Sequence, residues 1–550
     1  MKIKILIYAV ALVFIGSGCK KTESVKNTDD NSGAPVTDIA RSSGLKINVA
    51  PGAYFTYQVM SSVNGKSGRI SNFSLDNGGF IELADYNGAS HQKWRITFVG
   101  DGYYKIMNLG SGKVLQAYDN DGTQLVIQNS ANNSDAQLWR ISPVSGKLYK
   151  ALSKSTGLAI SANTNGPSLL EPYTGKPSQL WGYNVLQNDS YRDDAVVNFF
   201  HRTNKAQGSV AFDQGNSIAL TWGPNAGKVL WIAEDSFDGV RLKDNGNLLC
   251  GFFQYNNSVL IQPASRSWDP ELTDNLTISN STQGRPRQVF NAQPGTDFTW
   301  PGVGVEVGNK VYVYGAELKS LKLVHQALYE MVQSASNNAW QINRFLPVGM
   351  DQANVVYSEG MVKPGDGYVY AYGNMGVFIV KYIYVARFKE SDPLTWTFWD
   401  GSKWVDKQPI TKPTTKEALH FVGKGEDVAA YANTAISYHN GKYIMMQMDF
   451  GYGCDNPEHN IYISTSTSPT GPFTQKKKVF TIEDRYRGHI AKFYTPAIHP
   501  EFDNGNKELL LTYCLNFSGC NTGDDCRNGE LDSRQYQIKG IRVPYSLIGL

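Results

Sequence analysis

Apolar and polar residues alternate along most of the chain in short runs that are interrupted by Gly, Asn, Asp and Pro. A period of two is typical of β-strands with one buried face, and the interrupting residues are typical of turns. Residues 355–374 show the pattern most clearly, because two β-branched and aromatic runs flank the turn Pro364-Gly365-Asp366-Gly367. This stretch predicts a hairpin, and similar hairpins recur about every 50 to 70 residues from position 210 onward.

The recurring hairpins can be grouped into five sets of sequential strands without helical segments between them. Sequential four-stranded units of this kind predict a β-propeller with five blades. The fifth set lacks a strand, and we expect residues 196–201 to supply it and so join the two ends of the domain. The predicted strands are 216–220, 228–233, 257–262 and 287–292; 303–307, 310–314, 321–332 and 340–346; the hairpin 355–374, 382–388 and 396–399; 433–439, 442–448, 460–464 and 473–480; and 494–499, 508–515 and 535–543.

Three repeats precede the propeller. They end in Gln92-Lys93-Trp94, Gln137-Leu138-Trp139 and Gln179-Leu180-Trp181, so the Gln residues are 45 and 42 positions apart. Near-equal repeats of short strands, each supplying a Trp for one shared core, predict a β-trefoil. The sequence therefore predicts an all-β protein with a trefoil at 48–188 and a propeller at 189–550.

Length and charge agree with this organisation. A chain of 550 residues is longer than one hydrophobic core usually fills, so two or more domains are expected. The net charge is only +3, and no block of Lys and Arg is interleaved with aromatic residues. Nucleic acid is therefore not an expected partner.

The first residues read as a targeting signal. Lys2 and Lys4 precede an apolar run that is too short for a membrane-spanning helix, which predicts a signal peptide at 1–18. The junction Gly16-Ser17-Gly18-Cys19 resembles a bacterial lipoprotein cleavage site, which implies that Cys19 is lipidated. We expect a polar, disordered tether at 19–47 and a protein anchored by lipid to the outer membrane of the bacterial cell envelope, on its surface or periplasmic face.

Five cysteines remain after Cys19, and three of them, Cys514, Cys520 and Cys526, are close in sequence. In an oxidising compartment we expect one local disulfide among these three and at least one unpaired thiol. A Zn²⁺ site is the rival interpretation, but the spacings fit it poorly.

The topology of a propeller predicts where polar residues converge. In each blade the first strand starts, and the second strand ends, on the same face of the disc, so residues at these points surround one axial pocket. Carboxyl groups that share a partly dry pocket differ in pKa and can supply a general acid and a general base, as glycoside hydrolysis requires. The residues predicted at these positions are Asp213, Glu234, Asp235, Glu306, Glu317, Glu359, Asn374, Asn433, Asp449, Tyr494 and Asn516.

More specific roles are predicted for some residues in or near this ring. Trp231 and Trp300 lie near this ring in sequence and are candidate stacking surfaces for a sugar. Glu306, Asn433 and Asp449 are candidate substrate contacts, and a structural role is the alternative for Glu306.

The Gln-x-Trp triplets resemble the repeat ends of the ricin-type lectin family, and the resemblance covers all three repeats. It implies a trefoil that binds carbohydrate. Tyr86 and Tyr173, each six residues before its Gln, are candidate platforms for a sugar ring. The positions that correspond to the family's sugar-binding Asp and aromatic residues are Asn72, Gln116 and Ser161, and Ala84, Asn129 and Glu171.

Two patches of the propeller resemble family 43 glycoside hydrolases: Ser358-Glu359-Gly360 with its aromatic return strand, and the Ser-rich run that ends in Gly471-Pro472-Phe473. The resemblance implies an inverting hydrolysis by three acidic residues, with Glu359 as general acid, Asp213 as general base and either Asp235 or Asp297 as the third acid. Residues 228–237 are similar to a set of secreted bacterial propellers, some of which cleave arabinan.

Together these features predict a secreted, lipid-anchored glycoside hydrolase that acts on a polysaccharide or oligosaccharide, with arabinan or a related plant or microbial glycan favoured and the trefoil as a targeting module. A glycan-binding surface lipoprotein without catalytic activity is the alternative. No cofactor and no catalytic metal are predicted, and a structural Ca²⁺ on the propeller axis is left open.

Replacing Cys19 with Ala should release the protein from membranes, because it removes the thiol that carries the acyl anchor. Detergent-phase partitioning of the parent and the variant measures this directly. Unchanged partitioning of Cys19→Ala would remove the lipoprotein interpretation.

Overall fold

Strands dominate the chain, as the alternating pattern predicts. The computed structural model describes residues 43–47, 49–277, 288–334, 339–351, 354–377, 380–423, 429–430 and 434–550. They form a β-trefoil followed by a five-bladed β-propeller, which confirms the predicted fold class. Within the described part of the chain, no helix is both long enough and apolar enough to cross a membrane.

The trefoil is built from twelve strands. Its buried core contains Trp94, Trp139 and Trp181, one from each repeat. The strands are Tyr54–Ser61, Ser67–Ile70, Ile81–Ala84, Lys93–Gly100, Tyr103–Asn108, Val114–Asn120, Thr123–Asn129, Trp139–Ser145, Leu148–Ser153, Ala159–Ser161, Leu169–Glu171 and Trp181–Leu186.

The Gln-x-Trp triplets hold the repeats together by equivalent hydrogen bonds. Each Trp Nε1 donates to a backbone oxygen of its own repeat, at 3.0 Å in the first, 3.1 Å in the second and 3.0 Å in the third. Each Gln Nε2 donates to the carbonyl seven residues earlier, over 2.7 to 2.8 Å. A buried amide or indole N–H that lacked a partner would be costly, so these residues serve the core in all three repeats.

Each blade of the propeller is an antiparallel sheet, and the first strands of the five blades contact one another in a closed ring. The strands of blades 1 to 5, from the axis outward, are Asn216–Ala219, Val229–Ala233, Ser258–Gln262 and Asp274–Asn275; Phe298–Val307, Lys310–Lys319, Lys322–Gln333 and Trp340–Phe345; Val356–Val362, Tyr368–Val377, Val380–Lys389, Asp392–Trp399 and Trp404–Val405; Thr434–His439, Lys442–Met448, Asn460–Ser466 and Lys477–Thr481; and Phe493–His499, Glu508–Leu515, Ile538–Pro544 and Tyr191–Arg192.

Smaller elements decorate the blades. Ala429–Ala430 pairs with the third strand of blade 3, and short two-stranded pairs join Ser209–Phe212 to Ser236–Asp238, Leu248–Leu249 to Glu530–Leu531, and Arg485–Tyr486 to His489–Ile490. Among the described residues, the α-helices are Asp194–Phe200, Thr522–Asp525 and Tyr545–Ile548, and the 3-10 helices are Ser71–Phe73, Ser90–Gln92, Asp135–Gln137, Pro177–Gln179, Lys205–Gln207, Gly223–Asn225, Gly239–Arg241, Pro270–Leu272 and Ser533–Gln535.

The N-terminal end of the propeller completes blade 5, as expected, but through different residues. Tyr191–Arg192 pairs with Ile538–Pro544, whereas the predicted strand 196–201 lies mostly in the helix Asp194–Phe200. The side chain of Asp193 accepts hydrogen bonds from the first N–H groups of this helix, and an Asp at this position favours a helix over a strand. In blade 1 the outer strand is Asp274–Asn275, so the prediction of a strand at 287–292 is wrong for its described residues 288–292.

The trefoil and the propeller share a buried junction. The backbone N–H of Arg192 donates to the trefoil oxygen of Leu109 over 3.0 Å. The ion pair between Lys113 Nζ and Asp194 Oδ1 spans 2.6 Å, with both side chains buried. Glu508 of blade 5 is also buried, and its carboxylate accepts from Arg95 at 2.8 Å and from the hydroxyl of Tyr54 at 3.0 Å, both in the trefoil.

The described cysteines form two disulfides, Cys250–Cys526 and Cys454–Cys520, and leave Cys514 as a buried thiol. Cys514 agrees with the expectation of at least one unpaired thiol. The expected local pairing within 514–526 is wrong, because each bridge joins this segment to a distant loop, 276 and 66 residues away in sequence. Loops of different blades meet on one face of the propeller, and sequence spacing does not show which of them meet.

A glycine at the junction provides a test of how tightly the domains fit. Gly112 has φ +71°, and a Cβ added there would lie 2.1 Å from the carbonyl oxygen of Arg192. Gly122, with φ +86° and open space around it, is the matched control. Gly122→Ala should cost about 1 kcal/mol from the left-handed backbone alone, and Gly112→Ala should cost clearly more because it must also displace the strand that completes blade 5. Urea denaturation measures both, and equal losses would contradict a close junction.

Candidate functional site

We call the face on which the first strands start and the second strands end the top face. Asp213, which precedes the first strand of blade 1, lies beside Glu234 and Asp235, which follow the second strand. The N–H of Asp213 donates to the oxygen of Asp235 over 3.0 Å, and the N–H of Glu234 donates to the oxygen of Asp213 over 3.2 Å. The backbone therefore holds three carboxyl groups side by side, and we call these three residues the acid cluster.

In three blades the pairing between the first and second strands is irregular near the start of the first strand. The register shifts between Pro301 and Gly304 in blade 2, between Val356 and Gly360 in blade 3, and between Tyr494 and Ala497 in blade 5. A β-bulge turns a side chain away from the regular alternation and is common beside active sites. Glu359 lies within the bulge of blade 3, and it lines the upper part of an axial channel of about 280 Å³.

Burial raises the pKa of every carboxyl group in the acid cluster. Asp213 rises to about 6, although the hydroxyl of Tyr494 donates to its Oδ2 over 2.7 Å and favours the ionised form. Asp235 rises to about 8, through burial and then through the neighbouring charge of Asp213. The pKa of Glu234 is also raised well above its usual value, by burial and then by Asp213 and Asp235. The cluster therefore ionises first at Asp213.

Glu359 has a separate environment. Its side chain is 8% exposed, and burial raises its pKa to about 7. Lys381, the side-chain amide of Asn374 and the hydroxyl of Ser358 partly offset this by favouring the ionised form. Glu359 is thus largely protonated below neutral pH, while its hydrogen-bond partners fix the position of the carboxyl group.

Residues outside the sequence prediction complete the site. The hydroxyl of Tyr314 is buried without a hydrogen-bond partner among the described residues, and its pKa is raised by burial and then by Glu234 and Glu359. Tyr452 is 43% exposed, yet its pKa is raised by burial and then by Asp213 and Glu234. These two tyrosines therefore lie beside the carboxyl groups. Both follow ordinary strand or turn patterns in the sequence, so no local signal distinguishes them.

The two predicted stacking residues differ in position. Trp300 is partly exposed, and its Nε1 donates to Asp235 Oδ1 over 2.8 Å, which places its ring at the acid cluster. Trp231 is only 1% exposed, donates to Gln262 and stacks on Phe502. The structure corrects the prediction for Trp231, because its position within the second strand of blade 1 points it into the core between blades.

Three further candidates bind the protein's own backbone. Glu306 lies near the end of its strand, not at its start, and accepts from the N–H of Thr221 over 2.7 Å at the opposite end of the axial channel. Asp297 is exposed and accepts from Ser320 at a hairpin turn. Asp449 accepts from the N–H and side chain of Asn460 over 2.7 and 2.9 Å. The structure does not bring these residues to the acid cluster, while Asn433 and Cys19 lie outside the described residues.

The trefoil positions that correspond to the sugar-binding residues of the ricin-type lectin family are largely occupied by contacts within the protein. Gln116 accepts from Gln137, Ser161 donates to Ser178, and Glu171 is paired with Lys176. Tyr173 lies under the ammonium group of Lys150 at 4.2 Å. Tyr86 is 37% exposed and remains accessible.

Asn72 differs from these positions, because it lines a polar cavity of about 770 Å³ between the trefoil and the propeller. The trefoil contributes residues 71–80 to this cavity, and the propeller contributes charged side chains that include Arg485, Arg534 and Lys539.

One group of side chains has donors that could suit a metal. The ligand atoms of Cys454, Asp455, His489 and Cys520 lie within 4.8 Å of one another. However, Cys454 and Cys520 form a disulfide, and metal binding requires thiolates. The predicted ring of carboxyl groups on the top face does not contribute to this group.

The pH dependence of stability tests the desolvation of Asp235. Its pKa is raised from 3.8 to about 8, so the folded state binds the proton more tightly than the unfolded state. The associated stability is complete below pH 3.8 and is lost as pH rises towards 8. Asp235→Asn should therefore stabilise the protein more at pH 9 than at pH 5, so the Tm of the variant relative to the parent should increase over this pH range. Differential scanning calorimetry measures the shift.

The control for that experiment is Asp297→Asn, which removes an exposed carboxyl group from the hairpin turn of blade 2. If Asp235→Asn gains no more at pH 9 than this control, the proposed desolvation is wrong.

Several known proteins are similar to parts of this chain. The trefoil region, at residues 50–129 and 90–171, matches the family described as ricin-type beta-trefoil lectin domain-like. Solved structures similar to this chain include a designed threefold-symmetric protein, ThreeFoil (30% identity, 24% of this chain and 99% of that chain, TM-score 0.23), and an exo-beta-1,3-galactanase from Clostridium thermocellum (26% identity, 24% of this chain and 30% of that chain, TM-score 0.23). The Rhizoctonia solani agglutinin is a further one (18% identity, 26% of this chain and 100% of that chain, TM-score 0.22).

No curated protein matches the chain. The propeller is matched by the model of one family over residues 193–539, which is more than half of the chain. By this match the protein belongs to the family described as Domain of unknown function (DUF5005).

Proposed function

We propose that the protein is a glycoside hydrolase whose chemistry takes place at the acid cluster and Glu359. The observation that carries the proposal is a set of desolvated carboxyl groups around the hydroxyl of Tyr314: burial raises the pKa of Asp213, Asp235 and Glu359, and burial and then both Glu234 and Glu359 raise the pKa of Tyr314. Hydrolysis of a glycosidic bond needs one carboxyl group that is protonated and another that is ionised at the same pH.

Each group has a role in this mechanism. Glu359 protonates the leaving oxygen, because burial keeps it protonated up to about pH 7. Asp213 acts as the base, because the hydrogen bond from Tyr494 makes it the first of the acid cluster to ionise. Asp235 stays protonated, so that it adds no second charge beside Asp213.

The surroundings of these carboxyl groups suit a sugar. The ring of Trp300 offers an aromatic face held by its bond to Asp235, and such faces stack on the C–H surfaces of sugars. The buried hydroxyl of Tyr314 adds a polar group beside Glu234 and Glu359. We propose arabinan or a related plant or microbial polysaccharide as substrate, from the resemblance of residues 228–237.

The trefoil and the lipid anchor would position the enzyme at its substrate. We propose that the trefoil contributes to glycan binding, with Tyr86 as its exposed aromatic residue. Lipidation at Cys19 would hold both domains at the outer membrane. The propeller and trefoil share a buried junction, so they present their sites in a fixed relation.

Glu359→Gln should lower kcat on the natural glycan by about 10² to 10⁴, the usual contribution of general acid catalysis. An aryl glycoside with a good leaving group needs little protonation, so its deficit should be much smaller. For the parent, kcat/KM should fall below about pH 6, where Asp213 is protonated, and above about pH 7, where Glu359 ionises. The alkaline fall should disappear in Glu359→Gln.

The matched control is Glu306→Gln, which changes the same side-chain type in the axial channel but at the opposite end. It should keep its activity, since an amide oxygen can still accept from Thr221. Released reducing ends on a polysaccharide panel measure turnover. Full activity of Glu359→Gln would end this assignment, and absence of turnover in the parent would support a glycan-binding protein without catalysis.

A further inference from the structure

Three loops of the top face are tied together by the two disulfides. They connect the second and third strands of blades 1, 4 and 5, which are neighbours around the ring, and comprise residues 239–257, 449–459 and 516–537. Cys526 joins the blade 5 loop to the blade 1 loop, and Cys520 joins the same loop to the blade 4 loop. The blade 5 loop is therefore a common anchor, and we call the other two the first arm (239–257) and the second arm (449–459).

Further contacts fix the first arm to the anchor. Leu248–Leu249 pairs with Glu530–Leu531 as two short strands. The carboxylate of Glu530 accepts from Lys243 and from the side-chain amides of Asn245 and Asn247, the latter two over 2.8 Å each. This arm is thus held by a covalent bond, backbone pairing and an ionic contact together.

The second arm is held in place by contacts at Gly451 and at Asp455. Asp455 accepts from the N–H of Ile490 over 2.8 Å and contacts the imidazole of His489 at 2.6 Å. Gly451 lies so close to Phe493 that an added Cβ would be 1.9 Å from its backbone oxygen. Both arms are therefore built as rigid features of the surface.

Each loop is linked to the acid cluster, either directly or through Tyr494. Asn256 of the first arm donates to Asp235 over 3.3 Å. The ring of Tyr452, in the second arm, lies 5.5 Å from the ring of Tyr494, whose hydroxyl donates to Asp213. Asn516 of the anchor donates to that hydroxyl over 3.1 Å. The three loops consequently border the catalytic carboxyl groups.

The arms expose aromatic side chains although neighbouring ones are covered. Phe252 is 74% exposed, whereas Phe253 packs, together with Cys250 and Cys526, against the buried cluster that contains Leu248 and Leu531. Phe252 is four residues from Asn256, which limits its distance along the chain to about 14 Å. Tyr452 is 43% exposed. An aromatic ring exposed on a rigid loop at the rim of a polar site is typical of a binding surface.

We propose that the two arms and their anchor form a clamp that holds a saccharide chain across the acid cluster, with Phe252 and Tyr452 stacking on sugar rings beside the cleavage point. The inference rests on the proposed function and narrows its substrate class to extended polysaccharides. Sugar rings present C–H faces to aromatic groups and hydroxyls to polar groups, and the clamp offers both, through its rings and through Asn256 and Asn516. The two rings lie on arms from different blades, so a chain of sugars, rather than one terminal sugar, is the ligand we expect to contact both.

Affinity electrophoresis tests the clamp without requiring turnover. Glu359→Gln serves as the parent, run in native gels that contain soluble arabinan, galactan, xylan or mannan. It should be retarded in at least one gel. In that gel, adding Phe252→Ala or Tyr452→Ala should raise the dissociation constant about 3- to 10-fold each, the usual contribution of aromatic stacking. Trp222→Ala is the matched control, because Trp222 is 51% exposed but follows the end of a first strand, on the opposite face.

A second variant shows whether the effect of Tyr452→Ala could come from a folding defect. Cys454→Ser with Cys520→Ser releases the second arm while keeping Tyr452, and it should weaken retardation to a similar degree. No retardation of the parent in any gel, or retardation unchanged by both aromatic variants, would overturn the clamp.

These results separate the clamp from the hydrolase proposal. A wild-type protein that releases no reducing ends, but whose retardation depends on Phe252 and Tyr452, would overturn hydrolysis and leave the clamp standing. A protein that is active, but whose retardation ignores both residues, would overturn the clamp and leave hydrolysis standing.

Discussion

The closure of the propeller by Tyr191–Arg192 is the constraint on which the rest of the structure depends. A propeller is a ring of separate blades that closes where its first and last blades meet, and here the residues directly after the trefoil supply the outer strand of the last blade. Arg192 is buried and paired with Asp484, while Tyr191 donates to Glu508. Since the same two residues also contact the trefoil, closing the ring docks the lectin-like domain as well.

Ring closure also assembles the candidate site. Asp213 belongs to blade 1, but the hydroxyl that lowers its pKa relative to Asp235 comes from Tyr494 in blade 5. The site therefore depends on contact between the first and last blades. Its carboxyl groups are buried, which opposes their ionisation and costs stability at neutral pH.

The disulfides act on the same face. The loops between second and third strands contain few regular elements, and such loops would be mobile on their own. Two bridges to one anchor restrict them, and cross-links between residues distant in sequence restrict the unfolded chain strongly as well. The top face thus combines desolvated acids with covalently restrained loops on a closed scaffold.

The sequence by itself determined the local features of this protein. Alternating apolar residues and turns gave the strands of most blades, and the Gln-x-Trp triplets gave the trefoil, because both signals depend on neighbours within a few residues. The propeller topology predicted from these signals also placed Asp213, Asp235 and Glu359 on one face. Glu359 could be found because it sits at the start of a first strand, and Trp300 because it stands beside one.

Only the tertiary structure decided the rest. Trp231 and Trp300 look equivalent in sequence, but one fills the core between blades and the other faces Asp235. The side chain of Asp193 caps a helix where the strand 196–201 was expected. Tyr191–Arg192 supplies the outer strand of blade 5 instead. Disulfide pairing, the pKa order of the acids and the roles of Tyr314 and Tyr452 likewise follow from contacts between blades. Such contacts join residues hundreds of positions apart, and burial, which sets their chemistry, exists only once the ring has closed.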